Sequence, residues 1–187
     1  LIVISVKDST LFTIEKLNAW NELSHSFKDH EDVSTVIAFG DLQKLKKNKS
    51  SRQFYIEPFI EDSISKESEL ELLKDEIFNN SPFYDKFLIN SESKAVRTAI
   101  NLKTEVVNTV LREQFVNNVL LPRVSEFEKK YNLDVRISGM PYVRTKYSET
   151  IKAELGKFII LAIIVTSFIF FLFFRSFRAT FISIMTV

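Results

Sequence analysis

The residues best suited to metal binding or acid–base chemistry in this sequence are its two histidines and the acidic run beside one of them. His25 and His30 are the only histidines, and His30 lies among Asp29, Glu31 and Asp32. The spacing matches no zinc or EF-hand pattern, and adjacent side chains in a turn point in different directions. We interpret this run as a solvated turn and expect no metal site.

Motifs that mark nucleotide-binding or hydrolytic enzymes are absent from the sequence. It contains no G-x-S-x-G elbow, no G-x-x-x-x-G-K-[ST] loop and no G-x-G-x-x-G fingerprint. The 187 residues include three glycines and no cysteine. This composition argues against a phosphate-cradling loop and excludes a disulfide, a thiolate metal site and a thiol nucleophile. We therefore expect no enzymatic activity and no cofactor.

A basic cluster is the other candidate site, and it contains Lys44, Lys46, Lys47, Lys49 and Arg52. One interpretation is contact with anionic lipid headgroups or with an acidic partner. The other is a solvated loop without a specific ligand. The chain as a whole has 25 basic and 24 acidic residues, a net charge of +1, so we expect no nucleic-acid partner.

The charges are distributed very unevenly along the chain. Residues 158–187 contain only Arg175 and Arg178 as charged residues but include 8 of the 18 phenylalanines. Within this part, residues 158–174 form an uncharged run that would be about 25 Å long as a helix, a little short of a bilayer core. A buried core helix of a soluble protein is the alternative, but such a helix normally keeps a polar face. The composition therefore predicts a water-exposed domain joined to a membrane span.

The two arginines also predict an orientation. Arg175 and Arg178 separate the first apolar run from a second one that begins at residue 179. Short loops rich in Lys and Arg stay in the cytoplasm, so residues 1–157 are predicted to be extracytoplasmic. Since the sequence starts without Met and stops within an apolar run, we expect a fragment of a multi-pass protein of the cell (inner) membrane.

Hydrophobic periodicity predicts a mixed α+β domain. Strands are predicted at residues 1–7, 33–39, 86–89, 94–102 and 133–137, and an extended piece limited by Pro58 at 54–60. Helices are predicted at 14–28 with Thr13 as N-cap, at 66–79 and at 104–131 with a kink at Pro122, while residues 41–52 are expected to be irregular. Two β-α-β units with antiparallel elements between them predict a split-βαβ, ferredoxin-like sandwich.

The predicted organisation has five parts. These are an α+β domain at 1–140, a connecting helix at 141–157, a membrane span at 158–174, a cytoplasmic loop at 175–178 and the start of another span at 179–187. Pro141 is suited to open the connecting helix, which has no further proline before the span ends. Gly156 lies near the predicted membrane boundary. It is either a hinge that couples the two parts or a point of close approach for a neighbouring helix.

Four stretches in this order resemble the RND-superfamily permeases of the MMPL or Patched-like branch. They are Asp8-Ser-Thr-Leu-Phe-Thr-Ile-Glu15, Asn80-Ser-Pro-Phe-Tyr-Asp-Lys-Phe-Leu-Ile-Asn90 with the strand after it, Ser138-Gly-Met-Pro-Tyr-Val-Arg144 with Glu154-Leu155, and Phe174-Arg-Ser-Phe-Arg178. Two departures stand out: Ile14 replaces a usual proline, and Asp85 stands where the family usually has glycine.

The resemblance implies an extracytoplasmic porter domain in a proton-driven exporter of lipids or other hydrophobic cargo. It implies as partners the lipid bilayer, the cargo, and the rest of the same polypeptide with a second porter domain, besides an oligomer or accessory proteins. The proton-carrying residues of such proteins lie in helices outside this chain. The alternative is a membrane-tethered sensor or binding domain without transport, which would have one or two membrane helices rather than about a dozen.

Overall fold

The computed structural model describes residues 1–47, 53–60, 63–79 and 84–174. The chain divides into two compact units, Leu1–Val143, here called the sheet unit, and Arg144–Val187. Within the described residues, strands β1 to β7 span Ile2–Val6, Val33–Ile37, Gln43–Lys47, Phe54–Pro58, Ile89–Asn90, Ala95–Leu102 and Val135–Ser138. Helices α1 to α6 span Ile14–His25, Glu67–Asn79, Thr104–Val107, Val110–Phe115, Leu121–Tyr131 and Met140–Phe174.

The main sheet has the strand order β2-β6-β1-β7, and each neighbouring pair is antiparallel. As a consequence, β1 and β2 run in the same direction on either side of β6, and β6 and β7 run in the same direction on either side of β1. The short strand β5 pairs with the beginning of β6. A second sheet contains only β3 and β4. The prediction of a mixed α+β architecture is confirmed.

The buried side chains of the sheet unit lie mainly on β1, on β6 and on the helices that pack over them. Ile2, Ile4 and Val6 alternate with half-buried neighbours along β1, as expected for a strand with one face on the core. The central strand β6 is buried along most of its length. Helix α1 packs against α5 through the buried Trp20, whose ring meets that of Phe127 edge to face at 5.5 Å. The core therefore lies between the sheet and the helices α1 and α5.

A buried polar contact fixes α1 against the sheet. The hydroxyl groups of Ser24 in α1 and Thr98 in β6 lie 2.7 Å apart, and both side chains are fully buried. The Ser24 hydroxyl also donates to the carbonyl of Trp20 at 2.8 Å. Because a buried hydroxyl is costly unless it is hydrogen-bonded, this pair specifies how α1 sits on β6.

Helix α1 begins as the sequence predicts. The Thr13 hydroxyl accepts a hydrogen bond from the amide of Lys16, and Glu15 lies in the first turn, where its charge favours the helix dipole. The predicted strands at 1–7, 33–39, 94–102 and 133–137 are confirmed within a few residues. The predicted strand at 86–89 is shorter, because pairing with β6 starts only at Ile89.

The prediction of an irregular segment at 41–52 is wrong for its described part. Gln43–Lys47 forms β3 and pairs with β4 in regular antiparallel register. Strand β3 alone is short and polar, but its Leu45 faces Ile56 of β4, and Lys46 forms an ion pair with Glu57 at 2.7 Å. Cross-strand pairs of this kind stabilise a hairpin that neither strand indicates by itself. Pro58 ends β4, in agreement with its predicted restriction to an edge.

The predicted long helix at 104–131 is also corrected. It is interrupted at Asn108 and Thr109, between α3 and α4, so it is not one continuous helix. Before Pro122 the helix widens into a π turn at Val116–Leu120 and then continues as α5. A wider turn relieves the crowding between a proline ring and the preceding carbonyl groups, so the helix continues past the proline.

Gly139 joins the last strand to α6 in a conformation that other residues avoid. Its φ is +114°, and an added Cβ would overlap the carbonyl oxygen of Leu1 and lie 2.9 Å from Cα of Ile2. We predict that Gly139→Ala lowers the free energy of unfolding by about 1–3 kcal/mol, because strained backbone and overlap with a strand are both unfavourable. Denaturant unfolding followed by the emission of the buried Trp20 measures this loss.

Gly156→Ala is the matched control. Apart from its own helix backbone, no described atom lies within 4 Å of the position that its Cβ would occupy. Alanine favours a helix interior over glycine by about 1 kcal/mol, so this variant should be no less stable than the parent. Equal stability of Gly139→Ala and the parent chain would contradict the close approach at Gly139.

Candidate functional site

Helix α6 is the most distinctive functional element of the chain. It runs without interruption for 35 residues from Met140 to Phe174, a length of about 52 Å. It is long and apolar enough to cross a membrane, and none of its most apolar 18-residue window is buried. Large side chains such as Phe158, Ile164 and Phe168 are mostly exposed. A soluble core helix would bury such residues, so the alternative of a core helix does not fit the described chain.

The polar groups of α6 are arranged as a membrane helix requires. Thr150 and Ser167 donate their hydroxyl hydrogens to the carbonyls of Lys146 and Ile163, four residues earlier. Residues 158–174 contain no Asp, Glu, His, Lys or Arg. These two hydroxyls are therefore satisfied within the helix, and residues 158–174 offer no ionisable side chain that could carry a proton.

The start of α6 explains why the helix is unbroken. The amide of Val143 donates to the carbonyl of Gly139 at 3.0 Å, which closes the first turn. Pro141 is the second residue of the helix, where its missing N–H has no partner to lose. From there to Phe174 the sequence has no proline, and Gly156 alone weakens helix propensity. The predicted helix from Pro141 into the apolar run is confirmed.

The first stretch of the sequence resemblance forms two successive caps. The Asp8 carboxylate accepts from the amide of Thr10 at 2.8 Å and caps the short turn at Ser9–Leu11, and Thr13 then caps α1. Hydrogen bonds from Thr10, chiefly from its amide, lower the pKa of Asp8. These residues direct the chain from β1 into α1.

The second stretch forms a tight turn beside β5. The carboxylate of Asp85 accepts from the amide and the hydroxyl of Ser91, both at 2.9 Å, and these bonds lower the pKa of Asp85. The residue with left-handed backbone is Lys86, with φ of 67°. Lys86 therefore holds the left-handed position of this turn, and Asp85, which stands where the resembling family usually has glycine, serves as a hydrogen-bond acceptor. Its neighbours Asn80–Phe83 lie outside the described residues.

Tyr84 connects this turn to the small sheet. Its hydroxyl donates to the carbonyl of Gln43 at 2.7 Å, and its ring contacts Phe59 at 6.0 Å. Arg97 of β6 closes the turn from the other side, since its guanidinium donates to the carbonyls of Lys86 and Phe87. The β3–β4 hairpin is thus attached at its base to the main sheet.

The two histidines considered as metal ligands have different surroundings in the structure. His30 lies edge to face against Phe115 at 5.1 Å, and its Nδ1 accepts from the amide of Asp32. His25 instead faces Asp41, with Nε2 and Oδ1 3.2 Å apart. Among the described residues, no group of three or more His, Asp or Glu side chains is arranged to hold a metal ion.

Asp41 is the centre of a charge cluster that sequence reasoning missed. Its carboxylate accepts from the ammonium of Lys28 at 2.6 Å and from the amide of Ala38 at 3.0 Å, besides the contact with His25. Burial opposes ionisation of Asp41, but Lys28, the Ala38 amide and His25 outweigh it and hold the pKa of Asp41 below its usual value. The cluster links the end of α1 to the turn after β2.

The basic cluster forms part of the β3–β4 hairpin. Lys44 pairs with Glu76 of α2 at 3.3 Å, and Lys46 pairs with Glu57 at 2.7 Å. Lys47 lies over the ring of Phe54 at 5.9 Å. Lys49 and Arg52 lie outside the described residues. Two of the predicted lipid-contacting lysines therefore already have carboxylate partners.

Pro141 and Gly156, predicted as coupling or hinge residues, both lie within α6. Arg175 and Arg178, predicted to set the topology, lie outside the described residues. The family model of the MMPL family matches residues 12–187, which includes the sheet unit from the start of α1 and all of α6. The chain belongs to the MMPL family. Comparison with curated proteins and with solved structures gives no match.

Membership of the MMPL family allows the exposed apolar helix α6 to be interpreted. A single apolar helix is weak evidence for a membrane span by itself. In a chain of the MMPL family, the same helix indicates a membrane protein of transporter type, in agreement with the resemblance to RND/MMPL permeases. The described parts of three of the stretches that carry this resemblance form the caps, the turn at Lys86 and the strand-to-helix junction at Gly139. The fourth stretch, after Phe174, lies outside the described residues.

The Asp41 cluster gives a pH-dependent prediction. The pKa of Asp41 is lower in the folded than in the unfolded state, where it is about 3.8. Its stabilisation is therefore present above this value and is lost as pH falls through the folded-state pKa. We predict that Asp41→Asn lowers the free energy of unfolding by about 1 kcal/mol at pH 7, discounted for partial exposure, and removes this acid dependence.

Denaturant unfolding at several pH values between 7 and 3 measures the effect, with Glu105→Gln as a control at an exposed position in the first turn of α3. The two variants should diverge at pH 7 and converge in acid. An equal loss of stability in both variants at pH 7 would contradict a role of the Asp41 cluster.

Proposed function

We propose that this chain is part of a multi-pass secondary transporter that uses protons to export lipid or other hydrophobic cargo. The observation that carries the proposal is the MMPL match, because it includes both the sheet unit and α6. The cargo is moved without chemical change, so the protein is not an enzyme and needs no cofactor. Since residues 158–174 have no ionisable side chain, protons pass through other membrane helices of the same polypeptide.

The sheet unit serves as the porter domain, with the split-βαβ, ferredoxin-like arrangement. Its support is the strand order: α1 connects the parallel strands β1 and β2 around β6, and α3–α5 connect the parallel strands β6 and β7 around β1. A second porter domain in the same polypeptide packs against this one, and an oligomer or accessory proteins complete the assembly.

The membrane is the cell's inner membrane, with residues 1–157 on its extracytoplasmic side. Residues 158–174 span the bilayer, residues 175–178 form a cytoplasmic loop, and residues 179–187 begin the next span. The argument for this orientation is the charge pattern, because Arg175 and Arg178 are the charged residues between the two apolar runs.

Helix α6 couples the porter domain to the membrane helices. The supporting observation is its continuity from Pro141 through Gly156 to Phe174. A helix without a break transmits a rotation or translation from one end to the other, whereas a kinked or frayed helix absorbs it. Gly156 is the position in α6 where a bend needs the least energy, and it therefore sets how stiffly the two parts are connected.

We predict that Gly156→Pro abolishes transport and that Gly156→Ala retains it. Proline at 156 removes the hydrogen bond to the carbonyl of Lys152 and costs about 3 kcal/mol relative to alanine in a helix interior. The full-length polypeptide is reconstituted into proteoliposomes with an imposed pH gradient. Movement of a fluorescent phospholipid analogue out of the bilayer to an acceptor is then followed with and without a protonophore.

The two variants are matched because nothing described packs against position 156, so they differ in backbone and not in side-chain contacts. Both should insert into membranes in equal amounts. Transport by Gly156→Pro at the parental rate would contradict the coupling role of α6. If the parent protein moves no more of the phospholipid analogue with the pH gradient than without it, the result would contradict proton-driven transport and favour a tethered binding domain.

A further inference from the structure

The β3–β4 hairpin has two unlike faces, because directly opposed residues of an antiparallel pair lie on the same face. One face carries the ion-paired side chains and consists of Lys44, Lys46, Tyr55 and Glu57. The other face consists of Gln43, Leu45, Lys47, Phe54, Ile56 and Pro58. We call this second group the outer hairpin face.

The charges of the first face are satisfied within the chain. Lys44 reaches Glu76 of α2 at 3.3 Å and lies 5.7 Å from the ring centre of Phe59. Lys46 pairs with Glu57 at 2.7 Å. Since this face is turned toward α2, the outer hairpin face points away from α2.

The outer hairpin face is apolar and exposed. Its large side chains Leu45, Phe54 and Ile56 are 63–67% exposed. Leu45 lies directly opposite Ile56, and Phe54 precedes Ile56 on the same face, so the three form one continuous patch. A contiguous exposed apolar patch indicates an interaction surface rather than a part of the core.

The turn end of this hairpin is basic. Residues 45–56 contain four basic residues and no acidic one, whereas acidic residues outnumber basic ones in the rest of residues 1–157. In the part of the chain that the structure describes, no carboxylate pairs with the ammonium of Lys47, which lies over the ring of Phe54 at 5.9 Å. An unpaired cation therefore borders the apolar patch. A negatively charged surface attracts this hairpin and repels the rest of the sheet unit.

We propose that the outer hairpin face docks on the anionic phospholipid surface of the membrane in which the chain is anchored. The side chains of Leu45, Phe54 and Ile56 enter the boundary between headgroups and acyl chains, where they leave water. The Lys47 ammonium stays at the level of the phosphates while its methylene stem follows the apolar patch. An anionic bilayer thus supplies both an apolar interior and the negative charge above it.

A contact of this size needs the membrane anchor. A few apolar side chains and cations bind a bilayer only weakly and reversibly by themselves. Anchoring keeps the hairpin at a high effective concentration near the lipid, so that a weak contact is populated. Addition of a strand from another protein is disfavoured by the lysines along β3. The inference takes only the membrane location from the proposed function and does not depend on transport.

A fluorophore on the outer hairpin face tests the contact, because the chain has no cysteine of its own. The Ile56→Cys chain is labelled with a polarity-sensitive dye and reconstituted as one copy per lipid nanodisc. We expect a blue shift, and quenching by phosphatidylcholine brominated in its acyl chains, in discs that contain phosphatidylglycerol. Val110→Cys is the matched control, since Val110 on α4 is 67% exposed. No shift for Ile56→Cys, or an equal shift for Val110→Cys, would overturn the proposal.

A charge reversal tests the role of Lys47. Lys47→Glu in the labelled Ile56→Cys chain should reduce the quenching that depends on phosphatidylglycerol at least fivefold, because a basic residue at an anionic surface is replaced by an acidic one. Lys103→Glu is the control: Lys103 is exposed and follows the end of β6, whereas the hairpin is attached to the turn beside its start. Emission of the buried Trp20 reports that both variants are folded. An equal loss in both variants, or an equal shift in discs of phosphatidylcholine alone, would overturn the role of Lys47.

The membrane that is contacted is identified by where the anionic lipid is placed. Phosphatidylglycerol in the chain's own disc should produce the shift, whereas vesicles containing phosphatidylglycerol added to chains in phosphatidylcholine discs should not. A shift that appears only with the added vesicles would overturn the assignment to the anchoring membrane. One copy per disc excludes a second copy as the cause of the shift. Transport is not measured in these experiments, so their failure leaves the transport proposal unaffected.

Discussion

Inside a bilayer every peptide N–H and C=O group must find its hydrogen-bond partner within the protein, and residues 158–174 are subject to this constraint. Residues 158–174 meet it as a helix, and nothing between Pro141 and the span ends that helix. The same helix reaches back to Met140, directly after the last strand of the sheet unit. The last strand leads straight into α6, and Gly139 is the residue whose backbone makes this transition beside β1.

The stretches that resemble MMPL proteins have structural tasks in the sheet unit. Asp8 and Thr13 cap consecutive helical turns, Asp85 holds the turn whose left-handed residue is Lys86, and Gly139 passes close to β1. These residues fix where the chain changes direction. The MMPL family match over residues 12–187 supports the transporter-type assignment.

Local patterns were sufficient for the elements whose signal lies within one segment. The alternation in β1, the cap at Thr13 and the absence of helix breakers in α6 each predict what the structure contains. The β3–β4 hairpin and the Asp41 cluster depend on partners distant in sequence, so no single window indicates them. The interruption between α3 and α4 and the π turn before Pro122 likewise have no signal in any single window of the sequence.

The central claim is that α6 crosses a membrane and separates the sheet unit from the loop at 175–178. The chain has no cysteine, so Glu92→Cys, at an exposed position of the sheet unit, and Ser176→Cys can each report one side. Right-side-out membrane vesicles are treated with an impermeant thiol reagent before and after permeabilisation. The account predicts labelling of Glu92→Cys at once and of Ser176→Cys only after permeabilisation. Immediate labelling of both variants, or the reverse order, would contradict it.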